Sequence, residues 1–192
     1  MNKEQILNEI RNSAFSRPNY NVDIHLRRFL QGLLVYTDPT YKDDGGDVNI
    51  DDVFKAVPDF QRKNDKWTQD MQITFIRNLI KGFRTEIRLY EVNKDGGRIQ
   101  GMTHCKIIDG LQRVTAIHAF MKGQFRVFGL TYDEMIEERI LNHMSVPITI
   151  RVYSFPSESE AIEFYIEMNE NITHSSADIA KARVILNEIN KQ

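Results

Sequence analysis

Apolar residues recur along this chain with two different periods, and the period of each stretch predicts its element. Ile6, Leu7 and Ile10 fall at helical spacing within residues 3–12, and Ser16-Arg17-Pro18-Asn19 breaks that short helix. From Val22 to Tyr36, apolar Val22, Leu26, Phe29, Leu30, Leu33 and Leu34 return every three or four positions, which predicts a second amphipathic helix ended by Thr37-Asp38-Pro39. The stretch YKDDGGDVNIDD has no apolar period. Its two glycines and five aspartates predict a solvated loop between a helical N-terminal part and the main domain. Those aspartates do not follow the spacing of an EF-hand.

Beyond Val53 the pattern is stronger. Met71, Phe75, Ile76, Leu79 and Ile80 form an apolar stripe that predicts a helix from Asp65 to Lys81, stopped by Gly82. Glu86 to Val92 alternates apolar and polar and predicts a strand, and Met102 to Ile108 predicts another. The turn Asn93-Lys94-Asp95-Gly96-Gly97-Arg98 makes the pair a hairpin. A helix from Leu111 to Met121, a strand from Gln124 to Leu130, a helix from Tyr132 to Leu141 and a strand from Val146 to Tyr153 follow. Two last helices, Glu158 to Met168 and Ser176 to Asn190, take Ser157 or Ser159 and Ser175 or Ser176 as caps. Strands and helices alternate without a regular βαβ rhythm, so the expected class is α+β. The expected division is a helical extension with its acidic loop over residues 1–52 and a main domain over 53–192.

Composition narrows the setting. A chain of 192 residues with 41% apolar and 27% charged residues can bury one core. A formal charge of −2 is not that of a basic body built for non-specific nucleic-acid binding, though it allows a local basic patch. Cys105 is the single cysteine, which rules out an intramolecular disulfide and a cysteine-based zinc cluster. No window approaches the ~18 apolar residues of a membrane span, and the first residues lack a signal-peptide core. The expected location is cytoplasmic, with no membrane partner.

Ile107-Ile108-Asp109-Gly110-Leu111-Gln112-Arg113 carries the densest candidate chemistry. The first N–H groups of a helix lack internal partners and sit at the positive end of its dipole, so a strand-to-helix turn through glycine is a ready anion site. Gly110 allows close backbone approach, Arg113 offers a bidentate fork, and Gln112 can donate or accept. Asp109 can then hold Mg²⁺ or accept a proton from an attacking hydroxyl or water. The plainer reading makes Asp109 a helix cap and Arg113 the partner of a surface carboxylate. A second polar pair, Gln61-Arg62, ends Val57-Pro58-Asp59-Phe60, and a third polar stretch follows Met168 with Asn169, Asn171, Thr173 and Ser175.

Together these stretches resemble a family. Val57-Pro58-Asp59-Phe60-Gln61-Arg62, Trp67 opening a helix that ends at Gly82, Ile107 to Ile117, and Phe164-Tyr165-Ile166-Glu167-Met168-Asn169 followed by Ser175 to Ala182 are similar to the ParB/sulfiredoxin-like N-terminal domain of GmrSD-type modification-dependent restriction enzymes. The likeness covers about residues 53 to 190. It implies a ParB/sulfiredoxin-like core, a small mixed sheet surrounded by helices, with the N-terminal helical extension added. It further implies that Asp109, Gln112 and Arg113 are catalytic and that Asp109 holds Mg²⁺ or another divalent metal. Gly110, Gln61, Arg62, Thr115 and Asn169 would bind nucleotide or phosphate. Leu111 replaces the motif's first glutamine, so either a polar contact is missing or that side chain turns into the core. Sulfiredoxin-type thiol chemistry needs a cysteine in the turn, which this sequence does not place there. His104, on the apolar strand, reads as structural, and His118 reads as facing outward on its helix.

The resemblance implies an enzyme that binds a nucleoside triphosphate and cleaves a phosphate bond in the nucleotide or in DNA, working alone, as a homo-oligomer or with a separate nuclease subunit. A close variant transfers the phosphoryl group to a hydroxylated DNA base. From a different class comes a non-catalytic DNA-binding module that uses nucleotide only as a switch.

Overall fold

The computed structural model describes residues 2–13, 18–44, 48–61, 65–93, 104–143, 146–170 and 176–191. Four strands form a mixed sheet in the order β1-β4-β2-β3, comprising β1 (Tyr20–His25), β2 (Thr85–Val92), β3 (Lys106–Asp109) and β4 (Pro147–Phe155). β4 pairs antiparallel with β1 and parallel with β2, and β2 pairs antiparallel with β3. The helices are α1 (Lys3–Ser13), α2 (Phe29–Thr37), α3 (Gln69–Ile80), α4 (Leu111–Met121), α5 (Tyr132–Glu137), α6 (Ile140–His143), α7 (Glu158–Glu170) and α8 (Ser176–Ile189). The α+β class expected from the pattern is what the chain adopts.

The two faces of the sheet carry different cores. Ile87, Leu89, Ile107, Ile148, Ile150 and Val152 point to one side and pack with α2, α3 and α4 through Phe29, Leu33, Ile76, Val114, Ile117 and Phe120. Tyr90, Ile108, Tyr153 and Phe155 point to the other and pack with Phe164, Tyr165 and Ile166 of α7 and Ile179 of α8. Strand alternation explains the split, since successive side chains leave opposite faces. The second core is aromatic, with Tyr153 and Phe164 at 5.0 Å and Phe155 and Phe164 at 5.4 Å between ring centroids.

Three elements differ from expectation. The helix predicted over residues 22–36 begins only at Phe29; residues 20–25 are strand β1, alternating half-buried and exposed, with Val22 opposite Ile150 and Ile24 opposite Ile148. The four-residue step from Val22 to Leu26 mimics a helix, but Val22 and Ile24 already alternate, and pairing along β4 satisfies the backbone. The division expected at residue 52 therefore falls within a continuous core, because β1 lies in the sheet and Leu30, Leu33 and Leu34 pack in the same cluster as α3 and α4. The strand predicted over residues 124–130 is a tight turn: Phe128 and Gly129 take φ of 54° and 81°, and Val127 and Leu130 exchange backbone hydrogen bonds of 2.8 and 3.0 Å. The helix predicted over 132–141 breaks where Arg139 adopts φ 57°.

Elsewhere local chemistry explains the boundaries. Thr68 caps α3, its hydroxyl accepting from the Met71 N–H at 3.4 Å. Thr131 and Glu134 form a reciprocal capping box on α5. The Ser157 hydroxyl accepts from the Glu160 N–H at 3.2 Å, the capping role expected of it. The hairpin turn over residues 94–98 and the side chains of Ser175 and Ser176 lie outside the described residues. Among the described residues no helix is long and apolar enough to cross a membrane.

Candidate functional site

β3 ends at Asp109, Gly110 takes φ 100° and ψ 10°, and α4 begins at Leu111. Glycine is required at this junction on two counts. The left-handed backbone disfavours any side chain, and a Cβ would stand 2.6 Å from Ile87 Cδ1 and 3.4 Å from Ile87 Cα. The turn therefore sits directly on β2, which fixes the first turn of α4 against the sheet.

A cavity of about 70 Å³ opens at this turn, lined by Gln61, Trp67, Ile108, Asp109, Gly110, Leu111, Gln112, Arg113, Tyr165 and Asn169. Residues far apart in sequence thus meet. Gln61, Gln112 and Asn169 are buried to 7%, 5% and 8% exposure, so three side-chain amides are held around one small polar space. Gln61 reaches it because its Nε2 donates to the Ile107 carbonyl at 3.0 Å, tying the Val57–Gln61 segment to β3. Asn169 is fixed by an Nδ2 donation to the Tyr165 carbonyl at 2.7 Å. Burial of such groups is tolerated when they are hydrogen-bonded, and an amide retains further donor and acceptor capacity for a ligand.

Arg113 and Asp109 belong to a chain of alternating charges. Arg113 Nη2 lies 3.2 Å from Asp109 Oδ2, and its Nη1 donates to the Glu86 carbonyl. Arg88 Nη1 lies 3.5 Å from the same Asp109 oxygen, while its Nη2 pairs with Glu86. Arg151 Nε continues the chain, 2.8 Å from Glu86 Oε2. Among the described residues of this cluster three guanidiniums face two carboxylates, one positive charge in excess beside the N-terminus of α4. These side chains are roughly a quarter to two-fifths exposed, so the cluster is open to solvent and to a ligand.

Asp109 reaches this position through a β-bulge. Leu89 pairs with Ile107 and Arg88 with Asp109, so Ile108 is the extra residue on β3. Plain alternation from Ile107 would carry Asp109 toward α4 and the first core. The bulge turns it to the face that bears Glu86, Arg88 and Arg151.

The expected site residues fall into three groups. Gln61, Asp109, Gly110, Gln112, Arg113 and Asn169 come together at the cavity. Thr115 does not line it, and its hydroxyl donates back to the Leu111 carbonyl at 2.9 Å within α4. Arg62 lies outside the described residues, as do Asn171 and Thr173. Leu111 is 6% exposed and packs in the first core, so its side chain turns inward as one of the two alternatives required. Glu86, Arg88 and Arg151 were not singled out from the sequence, and Tyr165 stood there only within the stretch that carries the resemblance. The alternation of EIRLYEV did place Glu86 and Arg88 on one face, and in the parallel pairing Arg151 stands beside Arg88.

Mg²⁺ at Asp109 fits these residues poorly. The carboxylate is held between two guanidiniums, whose charge opposes a divalent cation at the same oxygens, and the neighbouring Glu86 is likewise taken by Arg88 and Arg151. The arrangement suits an anion. His118 is half-buried rather than turned outward, with its Nε2 2.6 Å from Asp51 and its ring edge-on to Phe54 at 4.9 Å, and it fastens the 3₁₀ helix of residues 50–56 to α4. His104 is exposed and precedes β3, not within an apolar strand as expected.

No protein-family model, no curated protein and no solved structure matches this chain.

Proposed function

We propose that the chain is a ParB/sulfiredoxin-like nucleotide-binding protein that seats a terminal phosphate of a nucleoside triphosphate at the Asp109–Arg113 turn and cleaves a phosphate bond there. One observation carries the reading: Gln61, Gln112 and Asn169, from three separate parts of the chain, surround a single cavity at a glycine-led helix N-terminus with Arg113 at its edge. The cavity is small, about 70 Å³, which suits one phosphoryl group with the rest of the nucleotide outside it.

In the reaction water attacks the terminal phosphorus, the new P–O bond forms, the bridging P–O bond breaks, and the products are nucleoside diphosphate and inorganic phosphate. Arg113 and the first N–H groups of α4 stabilise charge on the phosphoryl oxygens, and Gln112 orients the attacking water. Asp109 holds Arg113 in place and accepts the water's proton. A magnesium ion that arrives with the triphosphate belongs to the substrate, and no protein ligand is assigned to it. DNA is the proposed partner of the nucleotide-loaded protein, which would work in the cytoplasm.

The pairing of Asp109 with two arginines favours a second reading, a nucleotide-binding switch without turnover, because a carboxylate engaged by Arg88 and Arg113 is a weaker base. The test is to incubate the protein with γ-labelled triphosphate, Mg²⁺ and modified or unmodified DNA. Free labelled phosphate supports hydrolysis, label on DNA supports transfer to a base hydroxyl, and retained triphosphate supports the switch.

A further inference from the structure

We propose that Trp67 is the stacking wall for the base of the bound nucleotide, so that the site takes a nucleoside phosphate in preference to a bare phosphate chain. The inference rests on the reading of the Asp109–Arg113 turn as a phosphate site and adds the part of the ligand that lies beyond it.

Trp67 is the chain's single tryptophan and lines the same cavity as Gly110 and Arg113. Unlike Tyr165, which also lines that cavity and is 3% exposed, it is only partly buried. Its one aromatic neighbour among the described residues is Phe75, with ring centroids 5.3 Å apart and planes at 57°. That tilted contact steadies the indole and leaves it no stacked partner among the described residues. Its position is also fixed relative to the turn. Trp67 directly precedes the Thr68 cap of α3, and α3 packs on α4, whose first turn lies at the cavity.

Size decides where a base can go. A cavity of about 70 Å³ has room for a phosphoryl group, whereas ligand pockets that take up a whole drug-sized molecule run to about 300 Å³ or more. Sugar and base must therefore lie at the rim, where the partly exposed indole stands. Base stacking on an aromatic face is tolerant of base identity, because every base has a π-face. Trp67 would thus contribute affinity for nucleotides in general and leave the choice among bases to other contacts.

The chain's only tryptophan makes the test direct. The intact protein is titrated with each nucleoside triphosphate and with inorganic triphosphate, all with Mg²⁺, while Trp67 emission is followed and affinities are measured by calorimetry. Nucleotides are expected to quench the emission; inorganic triphosphate is expected to displace them and leave it nearly unchanged. Trp67→Leu keeps an apolar side chain without a π-face and should weaken nucleotide binding about ten-fold or more, while Trp67→Phe stays within about three-fold. Trp67→Leu should weaken nucleotide binding several-fold more than inorganic triphosphate binding, and equal losses for the two ligands overturn the stacking role. Nucleotide affinity unaltered in Trp67→Leu, with triphosphate still bound, overturns the stacking role alone. Failure of the unaltered protein to bind either ligand overturns the phosphate-site reading itself.

Discussion

Arg88 on β2 and Asp109 on β3 are direct partners across the sheet, one step beyond a bulge that leaves Ile108 without an opposite residue. Their side chains lie 3.5 Å apart, and Asp109 shares the same oxygen with Arg113. A displacement of one residue in pairing thus decides whether the acid of the turn faces the apolar core or a row of arginines. Among the described residues the row places one more positive than negative charge beside the N-terminus of α4.

Because that cluster is partly exposed, it should matter more to activity than to folding. Arg88→Met is expected to change unfolding free energy by about 1 kcal/mol or less, as for other solvent-screened pairs. Phosphate release should nevertheless fall, since the cluster loses the excess positive charge that faces the phosphoryl oxygens. Chemical denaturation and a phosphate-release assay on the same preparation separate the effects, and a large loss of stability would make the cluster structural.

Gly110 should be far less replaceable than Gly82. Both have positive φ, 100° and 94°, yet a Cβ at Gly110 meets Ile87 at 2.6 Å while one at Gly82 meets nothing within 4 Å. Gly82→Ala is expected to cost about 1 kcal/mol from backbone conformation alone, and Gly110→Ala about 2–4 kcal/mol. Adding Ile87→Val should recover part of the second loss but none of the first, which a double-mutant cycle measures.

Cys105 is 1% exposed, and burial, reinforced by Glu91 nearby, pushes its thiol up to about 12. The native protein should therefore resist a thiol-reactive disulfide reagent at pH 8 and react with one equivalent once unfolded. Rapid reaction in the native state would contradict the packing of this segment.

Burial raises the Glu91 carboxyl above its ordinary range, partly offset by a hydrogen bond with Ser154. A raised folded value means that Glu91 contributes stability below its unfolded pKa and that this contribution is lost as pH rises through the folded value. Glu91→Gln should thus be more stable than the unaltered chain at pH 7, with the advantage shrinking as pH falls through the carboxylate range. Thermal unfolding across pH 4 to 8 checks the sign.

Much of this was legible in the sequence where an element buries one face. The Met71–Ile80 stripe gave α3, and the run after Gly110 gave α4 from Leu111 to Met121. β1 was not legible, because its partner on β4 lies more than a hundred residues away and a single four-residue coincidence between Val22 and Leu26 imitated a helix. Residues 124–130 alternate like a strand but close on themselves, with Phe128 and Gly129 both in the left-handed region. At the site, the residue types Asp109, Gly110, Gln112, Arg113, Gln61 and Asn169 could be picked out. Their convergence followed only from the family resemblance and not from local spacing, since it depends on contacts such as the hydrogen bond from Gln61 to Ile107, 46 residues away. The bulge at Ile108, and with it the engagement of Asp109 by Arg88, is a property of strand pairing that local spacing does not encode.

The central claim is that the turn from Asp109 to Arg113 holds the phosphate of a nucleotide. The most direct measurement is the affinity for Mg²⁺-nucleoside triphosphate, with phosphate release on the same samples, for the unaltered chain, Arg113→Ala and Asp109→Ala. Hydrogen bonds to charged groups are worth about 1.5–3 kcal/mol, so Arg113→Ala should weaken binding by about ten-fold or more. Asp109→Ala should keep binding and lose turnover. If both variants bind and release phosphate as the unaltered chain does, the turn is a structural junction and the nucleotide site is not there.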